Sequence, residues 1–285
     1  MRFGPAPARC DNDATSTKGR PECAHPSTPR DGNPMTAPPA IPAALAGTLR
    51  AARFVAVLTG AGVSAESGVP TFRDAQQGLW AQFDPRELAT PGAFARNPQR
   101  VWDWYALRRE MVGRVAPNPG HFALAALERH VPAFLLATQN VDGLHQRAGS
   151  ERVVELHGNI TRVRCSRDGT VVAHWDGGSA GSPPRCPHCG AMLRPDVVWF
   201  EEPLPADALA AAEDAARRCD VLIVAGTSAE VYPAAALPES ALRRGARVVE
   251  VNPNETPLSA HADDVLRGPS GVVLPALVAA AFPDR

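Results

Sequence analysis

A doubly wound, Rossmann-like α/β sheet carrying a small insertion lobe is the fold class this sequence predicts. Three features predict it: continuous apolar runs of strand length, helical stretches between them, and a glycine-rich turn closing the first run. The runs are Phe54–Leu58, Phe134–Thr138, Val221–Ala225 and Arg247–Val251, and none alternates apolar with polar residues. A parallel strand covered by helices on both faces reads this way. Val153–Leu156, just before His157, reads as the end of a further strand. The helices between are His121–His130 and Pro205–Arg218, the latter rich in Ala, Glu and Arg. Two segments break the alternation. Residues 85–117 carry Trp102, Trp104, Tyr105 and Met111 in a helical pattern, and residues 161–195 carry a cysteine cluster and the loop Asp176–Pro184. We expect both to pack together as the small lobe, against a large part formed by 42–84, 118–160 and 196–285. The cleft between would take ligands.

The 285 residues suffice for one such catalytic-size domain, 42–285, preceded by a disordered tail, 1–41. Nine prolines fall in the first 42 positions, with few large apolar residues to offset the ordering entropy. Met35 is an alternative start. With 29 basic and 30 acidic residues the net charge is −1, and the basic excess of a nucleic-acid binder is missing. The longest nearly apolar run, Val272–Phe282, is too short to span a bilayer and contains Pro275. The expectation is a cytoplasmic chain with no nucleic-acid and no membrane partner. Lys18, in the tail, is its only lysine, so lysine modification cannot regulate the folded part.

The first run enters Thr59-Gly60-Ala61-Gly62-Val63-Ser64-Ala65, in which Gly60, Gly62 and Ala65 match the dinucleotide pattern G-x-G-x-x-G/A. Glycines at such a turn let backbone N–H groups approach a pyrophosphate. A plain tight turn would look similar. The acidic residue that usually ends a second strand some 20 residues on is missing, so a hydride-transferring dehydrogenase fits poorly.

The longer string Gly60–Asp74, GAGVSAESGVPTFRD, resembles the sirtuin family of NAD-dependent protein-lysine deacylases. Further matches follow in family order: Thr138–His145 (TQNVDGLH), Glu155–Gly158 (ELHG), Arg194–Phe200 (RPDVVWF), Gly226–Ser228 and Val251-Asn252. The resemblance covers roughly 42–280. It implies a cofactor site formed by Gly60, Ala61, Gly62, Ala65, Phe72, Arg73, Gln139, Asn140, Asp142, Gly226, Thr227, Ser228, Glu250, Asn252 and Ser270. Asn140 and Asp142 would line the nicotinamide pocket, since an amide and a carboxylate together complement a carboxamide. Phe72 would shield the anomeric carbon, Arg73 would contact phosphate or ribose, and Ser270 lies at an adenine-side position. His157, the titratable group suited to proton removal near neutral pH, is implied as the general base on a ribose hydroxyl. His145 reads as a packing or hydrogen-bonding residue.

Tyr105 and Arg108, at i and i+3, share one helix face and could together bind a carboxylate. With Ala89 they match the sirtuin subclass that removes succinyl and malonyl groups; the same pair is common on ordinary amphipathic helices. The peptide partner would pair with the edge segment 197–202, its lysine N–H on the Val198 carbonyl. There the family's Phe-Gly-Glu reads Phe200-Glu201-Glu202. A family zinc site of two Cys-x-x-Cys pairs becomes Cys165-Ser-Arg-Asp168 and Cys186-Pro-His-Cys189, so three thiolates and one carboxylate could hold a structural zinc. A degenerate site without metal is the other reading. Cys219 reads as a buried free thiol. The expected activity is NAD-dependent deacylation of acylated-lysine proteins or peptides, succinyl and malonyl with some acetyl, giving nicotinamide and O-acyl-ADP-ribose. A protein ADP-ribosyltransferase is the alternative.

Overall fold

The computed structural model describes residues 39–70, 87–175 and 183–283. Phe72, Arg73, most of the expected tail and most of the loop after Trp175 lie outside the described residues. In chain order the strands are β1 (Phe54–Thr59), β2 (Ala133–Thr138), β3 (Val153–Glu155), β4 (Gly158–Cys165), β5 (Val171–Val172), β6 (Leu193–Val197), β7 (Val221–Ala225), β8 (Arg247–Val251) and β9 (Asp264–Leu266). The helices are α1 (Ala43–Ala51), α2 (Pro91–Arg96), α3 (Pro98–Arg114), α4 (Pro119–His130), α5 (Leu144–Arg147), α6 (Ala206–Arg218), α7 (Leu237–Arg243) and α8 (Ser270–Ala281).

The main sheet is parallel throughout, in the order β3-β2-β1-β7-β8-β9. Alternate residues of each strand enter different cores. Val55, Val57, Leu136, Ile223 and Val249 face α1, α4 and α8, whereas Ala56, Leu58, Leu222, Val224 and Val248 face α6 and α7. Both faces are therefore dry, which is why the runs are continuous in sequence. The direction of winding reverses between β1 and β7, and a parallel sheet opens a crevice at the carboxyl ends of such a pair. Short, half-exposed β9 was not foreseen; its sequence, Asp264-Val-Leu266, is too brief to stand out.

A three-stranded antiparallel sheet, β5-β4-β6, forms the insertion together with α2 and α3. Asn-Pro pairs start α3 and α4. Asn97 accepts the Arg100 N–H and Asn118 the Gly120 N–H, while Pro98 and Pro119 occupy the first turn, where no donor is needed. The apolar face of α3 packs on β4 and β6 through Val101, Tyr105, Ile160, Val197 and Trp199. Among the described residues no helix is long and apolar enough to cross a membrane; the apolar run near the C-terminus is α8, twelve residues long with Pro275 inside.

Candidate active site

The glycine-rich turn sits at the switch point, on the carboxyl end of β1, and continues as a 3-10 helix, Ala61–Ser67. It is locked to the turn after β7: Gly60 N–H donates to Ala225 O, and Gly62 N–H to Gly226 O. The approach is so close that a Cβ on Gly62 would lie 2.8 Å from Gly226 O, and one on Gly226 would lie 2.3 Å from Val63 N. Gly226 also takes φ +62°, a region costly for side-chain-bearing residues. Thr227 and Asn252 continue this rim. Thr227 Oγ1 accepts from Gln139 Nε2, and Asn252 Nδ2 donates to Thr227 O. Ser228 is half-buried beside them.

Beneath the turn lies a buried polar network. Asn140 Nδ2 donates to Gly60 O and Ser64 Oγ, both at 3.1 Å, leaving its carbonyl oxygen as acceptor. Ser64 Oγ donates to Asp142 Oδ2 at 2.8 Å, and Leu144 N–H donates to Asp142 Oδ1. Burial raises the Asp142 carboxyl above its ordinary value, against the pull of these bonds. His121 Nδ1 accepts the Asn118 N–H, so its Nε2 carries the proton shared with Ser64 Oγ. Desolvation pushes His121 down to about 4. Desolvation, with His121 nearby, pushes His145 down to about 3. His145 Nε2 bonds Thr59 Oγ1, so the residue packs inside and hydrogen-bonds there. Ser64 and His121 were not singled out from the sequence; their signal was Ser64 inside the quoted string and His121 in a capping box.

His157 follows β3. Its Nδ1 lies 2.8 Å from Gln139 O, and a carbonyl only accepts, so Nδ1 carries the hydrogen and the lone pair sits on Nε2. Desolvation lowers its pKa below 6.5, partly opposed by that bond. Gln139 thus connects His157 to Thr227, and Val198 N–H reaches His157 O at 2.9 Å. Gln139, Asn140, Asp142, His157, Val198 and Thr227 are brought to one place, although they come from four loops.

Other expected residues sit apart from this centre. Both carboxylate oxygens of Glu250 are engaged, by Thr256, by Ser259 Oγ at 2.5 Å and by Arg267 at 3.4 Å. They brace the loop after β8. Ser270 begins α8, 2% exposed, with no partner for its Oγ. The neighbouring Gly271 N–H donates to Glu66 Oε2, so this buried hydroxyl stands near the 3-10 helix that follows the glycine-rich turn, and a bound dinucleotide would satisfy it.

On α3, Tyr105 is 1% exposed and accepts from Trp199 Nε1 at 3.1 Å. Arg108 stacks over the Trp104 and Tyr105 rings, at 4.6 and 5.6 Å. Burial raises the Tyr105 phenol and lowers the Arg108 guanidinium from their ordinary values. Arg108 has no carboxylate partner among the described residues. Ala89 packs on the same cluster, and its carbonyl accepts the Phe200 N–H.

The Sγ atoms of Cys165, Cys186 and Cys189 lie within 4.8 Å of one another. Three thiol groups so placed suit tetrahedral zinc, whose 2.3 Å bonds put sulfurs about 3.8 Å apart. Asp168 is not part of that group; it is exposed and its Oδ1 accepts the Thr170 N–H. His188 is also exposed and outside it. Cys219 is buried, its thiol pushed up to about 11 by desolvation.

The Sir2 family profile matches residues 60–233. An NAD-dependent protein deacylase of Ralstonia nicotianae is 55% identical over 244 residues, spanning 84% of this chain and 97% of the relative. A solved Sir2 homolog–NAD complex is 46% identical with a TM-score of 0.81, over 87% of this chain and 96% of that one. A related protein solved with a myristoylated histone peptide is 34% identical, with a TM-score of 0.67 over 85% and 96%.

Proposed function

Because the chain belongs to the Sir2 family and is an NAD-dependent protein deacylase, we propose that its preferred substrates are lysines bearing carboxylated acyl groups, succinyl and malonyl. Bound NAD supplies the cleavable bond between nicotinamide and ribose. Residues around the switch-point crevice, Gly60, Ala61, Gly62, Ala65, Gln139, Gly226, Thr227, Ser228, Asn252 and Ser270, hold it, with Phe72 and Arg73 assigned on sequence alone. Glu250 serves through the Asn252 loop. Asn140 and Asp142 orient the carboxamide end. His157 removes a ribose hydroxyl proton at Nε2, the ring atom that the Gln139 bond leaves unprotonated. The acylated peptide lies along Val197–Glu202 by main-chain pairing; that the chain takes an acylated peptide is supported by the related protein solved with a myristoylated histone peptide.

The observation that carries the acyl preference is Arg108: a guanidinium stacked over the Trp104 and Tyr105 rings, on the cluster against which small Ala89 packs, with no carboxylate of its own among the described residues. An acyl carboxylate would complete it. The three cysteines support a structural zinc, with Asp168 as fourth ligand. Cys165 to Gly169 and Cys186 to Gly190 form equivalent turns, each glycine at positive φ and each donating its N–H to the leading cysteine carbonyl. Asp168 then occupies the place of Cys189 in its turn. Deacylation fits the comparisons better than ADP-ribosyl transfer.

Nicotinamide release from paired succinyl and acetyl peptides tests the preference. Arg108→Met should raise KM for the succinyl peptide tenfold or more, the worth of one charged hydrogen bond of roughly 1.5–3 kcal/mol. Equal losses on both peptides would refute it.

A further inference from the structure

We propose that Trp199 is a positioning residue for acyl selectivity, holding the Tyr105 hydroxyl as a donor toward the carboxylate of the acyl chain. This rests on the carboxylated-acyl reading above. An indole N–H can only donate. Trp199 Nε1 donates to the Tyr105 oxygen at 3.1 Å, with both residues buried, at 2% and 1% exposure. That bond occupies the accepting side of the phenol, so its own O–H must point elsewhere. Burial raises the phenol pKa, so the proton stays on. Arg108 stands one turn further along the same face. An anion there meets a guanidinium and an O–H donor. Were the phenol reversed, a lone pair would face the anion and repel it.

The indole is itself held in register. The Arg194 guanidinium lies 3.3 Å from the centre of its ring, and Phe94 packs at 5.3 Å. Glu202 accepts the Trp199 backbone N–H at 2.8 Å and two bonds from Arg194, at 2.5 and 2.8 Å. The chain Glu202–Arg194–Trp199–Tyr105 therefore runs from the peptide-binding strap to the acyl pocket, and every polar contact in it has a defined direction.

Trp199→Phe keeps an aromatic ring and deletes the N–H. The succinyl-to-acetyl ratio of kcat/KM should fall about five- to tenfold, mainly through KM for the succinyl peptide, as expected for one net hydrogen bond. In a Tyr105→Phe background the same replacement should leave the ratio unchanged, because the hydroxyl it orients is gone. Glu202→Gln, which loosens Arg194 over the ring, should shift the ratio in the same direction by less. The proposal is overturned if Trp199→Phe lowers both substrates in proportion, if its effect on the ratio persists without the Tyr105 hydroxyl, or if Glu202→Gln leaves the ratio untouched. Arg108→Met separates the two levels. A selective succinyl loss there, with no change of ratio in Trp199→Phe, sinks this inference alone; no succinyl selectivity in the unaltered enzyme sinks both.

Discussion

At the scale of single residues, what matters is which atom carries the hydrogen. Each ring nitrogen of His121 and the inner one of His157 meets a partner whose role is fixed, so the tautomer follows from geometry. His157 is left with a free Nε2 and a pKa lowered below 6.5, chiefly by desolvation. A base with a depressed pKa is already unprotonated at neutral pH. The acid limb of kcat/KM should therefore fall with a midpoint below 6.5, and the profile should be flat from there to pH 8. A midpoint above 6.5, or an unchanged limb in His157→Ala, would contradict the assignment. That variant should also lose roughly 10²–10⁴ in kcat. The sequence marked His157, Asn140 and Asp142 because they stand in short strings just past apolar runs. It did not mark Ser64 as the hydroxyl that joins Asn140, Asp142 and His121, since a serine in a glycine-rich turn carries no sign of its partners.

At the scale of elements, the segment after β6 shows how a local rule can be broken and the shape kept. Glu201 adopts φ +74°, where the family string has Gly. The strap does not straighten, because the Phe200 N–H is held by Ala89 O on one side and the Glu202 carboxylate by Arg194 on the other. A side chain in this left-handed region costs about 1 kcal/mol, so Glu201→Gly should stabilise the fold. Part of the gain is lost to the freer unfolded chain. The net expectation is a gain of up to ~0.6 kcal/mol, a rise of at most about 2 °C in Tm by thermal melt. A fall in Tm would mean that the Glu201 side chain makes a stabilising contribution larger than the strain. The sequence exposed the departure from the motif; only the backbone shows that the conformation survived it. Likewise, i, i+3 spacing placed Tyr105 and Arg108 on one face of α3, but not Trp199 against them from 94 residues away.

At the scale of the whole molecule, charge is balanced almost without lysine. Of 29 basic residues one is lysine, Lys18, and the rest are arginine. Every ion pair described, from Arg162 with Glu155 and Asp196 to Arg247 with Asp264, therefore uses a guanidinium. Guanidinium groups keep their charge and resist the amine acylation that the enzyme reverses on other proteins. Exhaustive treatment with succinic anhydride, then hydroxylamine to clear labile esters, should leave kcat/KM within about twofold of the untreated enzyme. Lasting inactivation would show that an amine at Lys18 or the N-terminus matters to catalysis. The α/β class, five of the six parallel strands and the motif residues could be read from one dimension, because a strand dry on both faces must be a continuous apolar run and a phosphate-binding turn must be built of glycine. The order β3-β2-β1-β7-β8-β9, the meeting of Gly226 with Gly62, the joining of Ser64 to Asn140 and Asp142, and the bond from Trp199 to the Tyr105 oxygen were decided only in the folded chain. Patterns of burial repeat along the sequence, whereas hydrogen bonds between distant segments depend on which loops the sheet brings side by side.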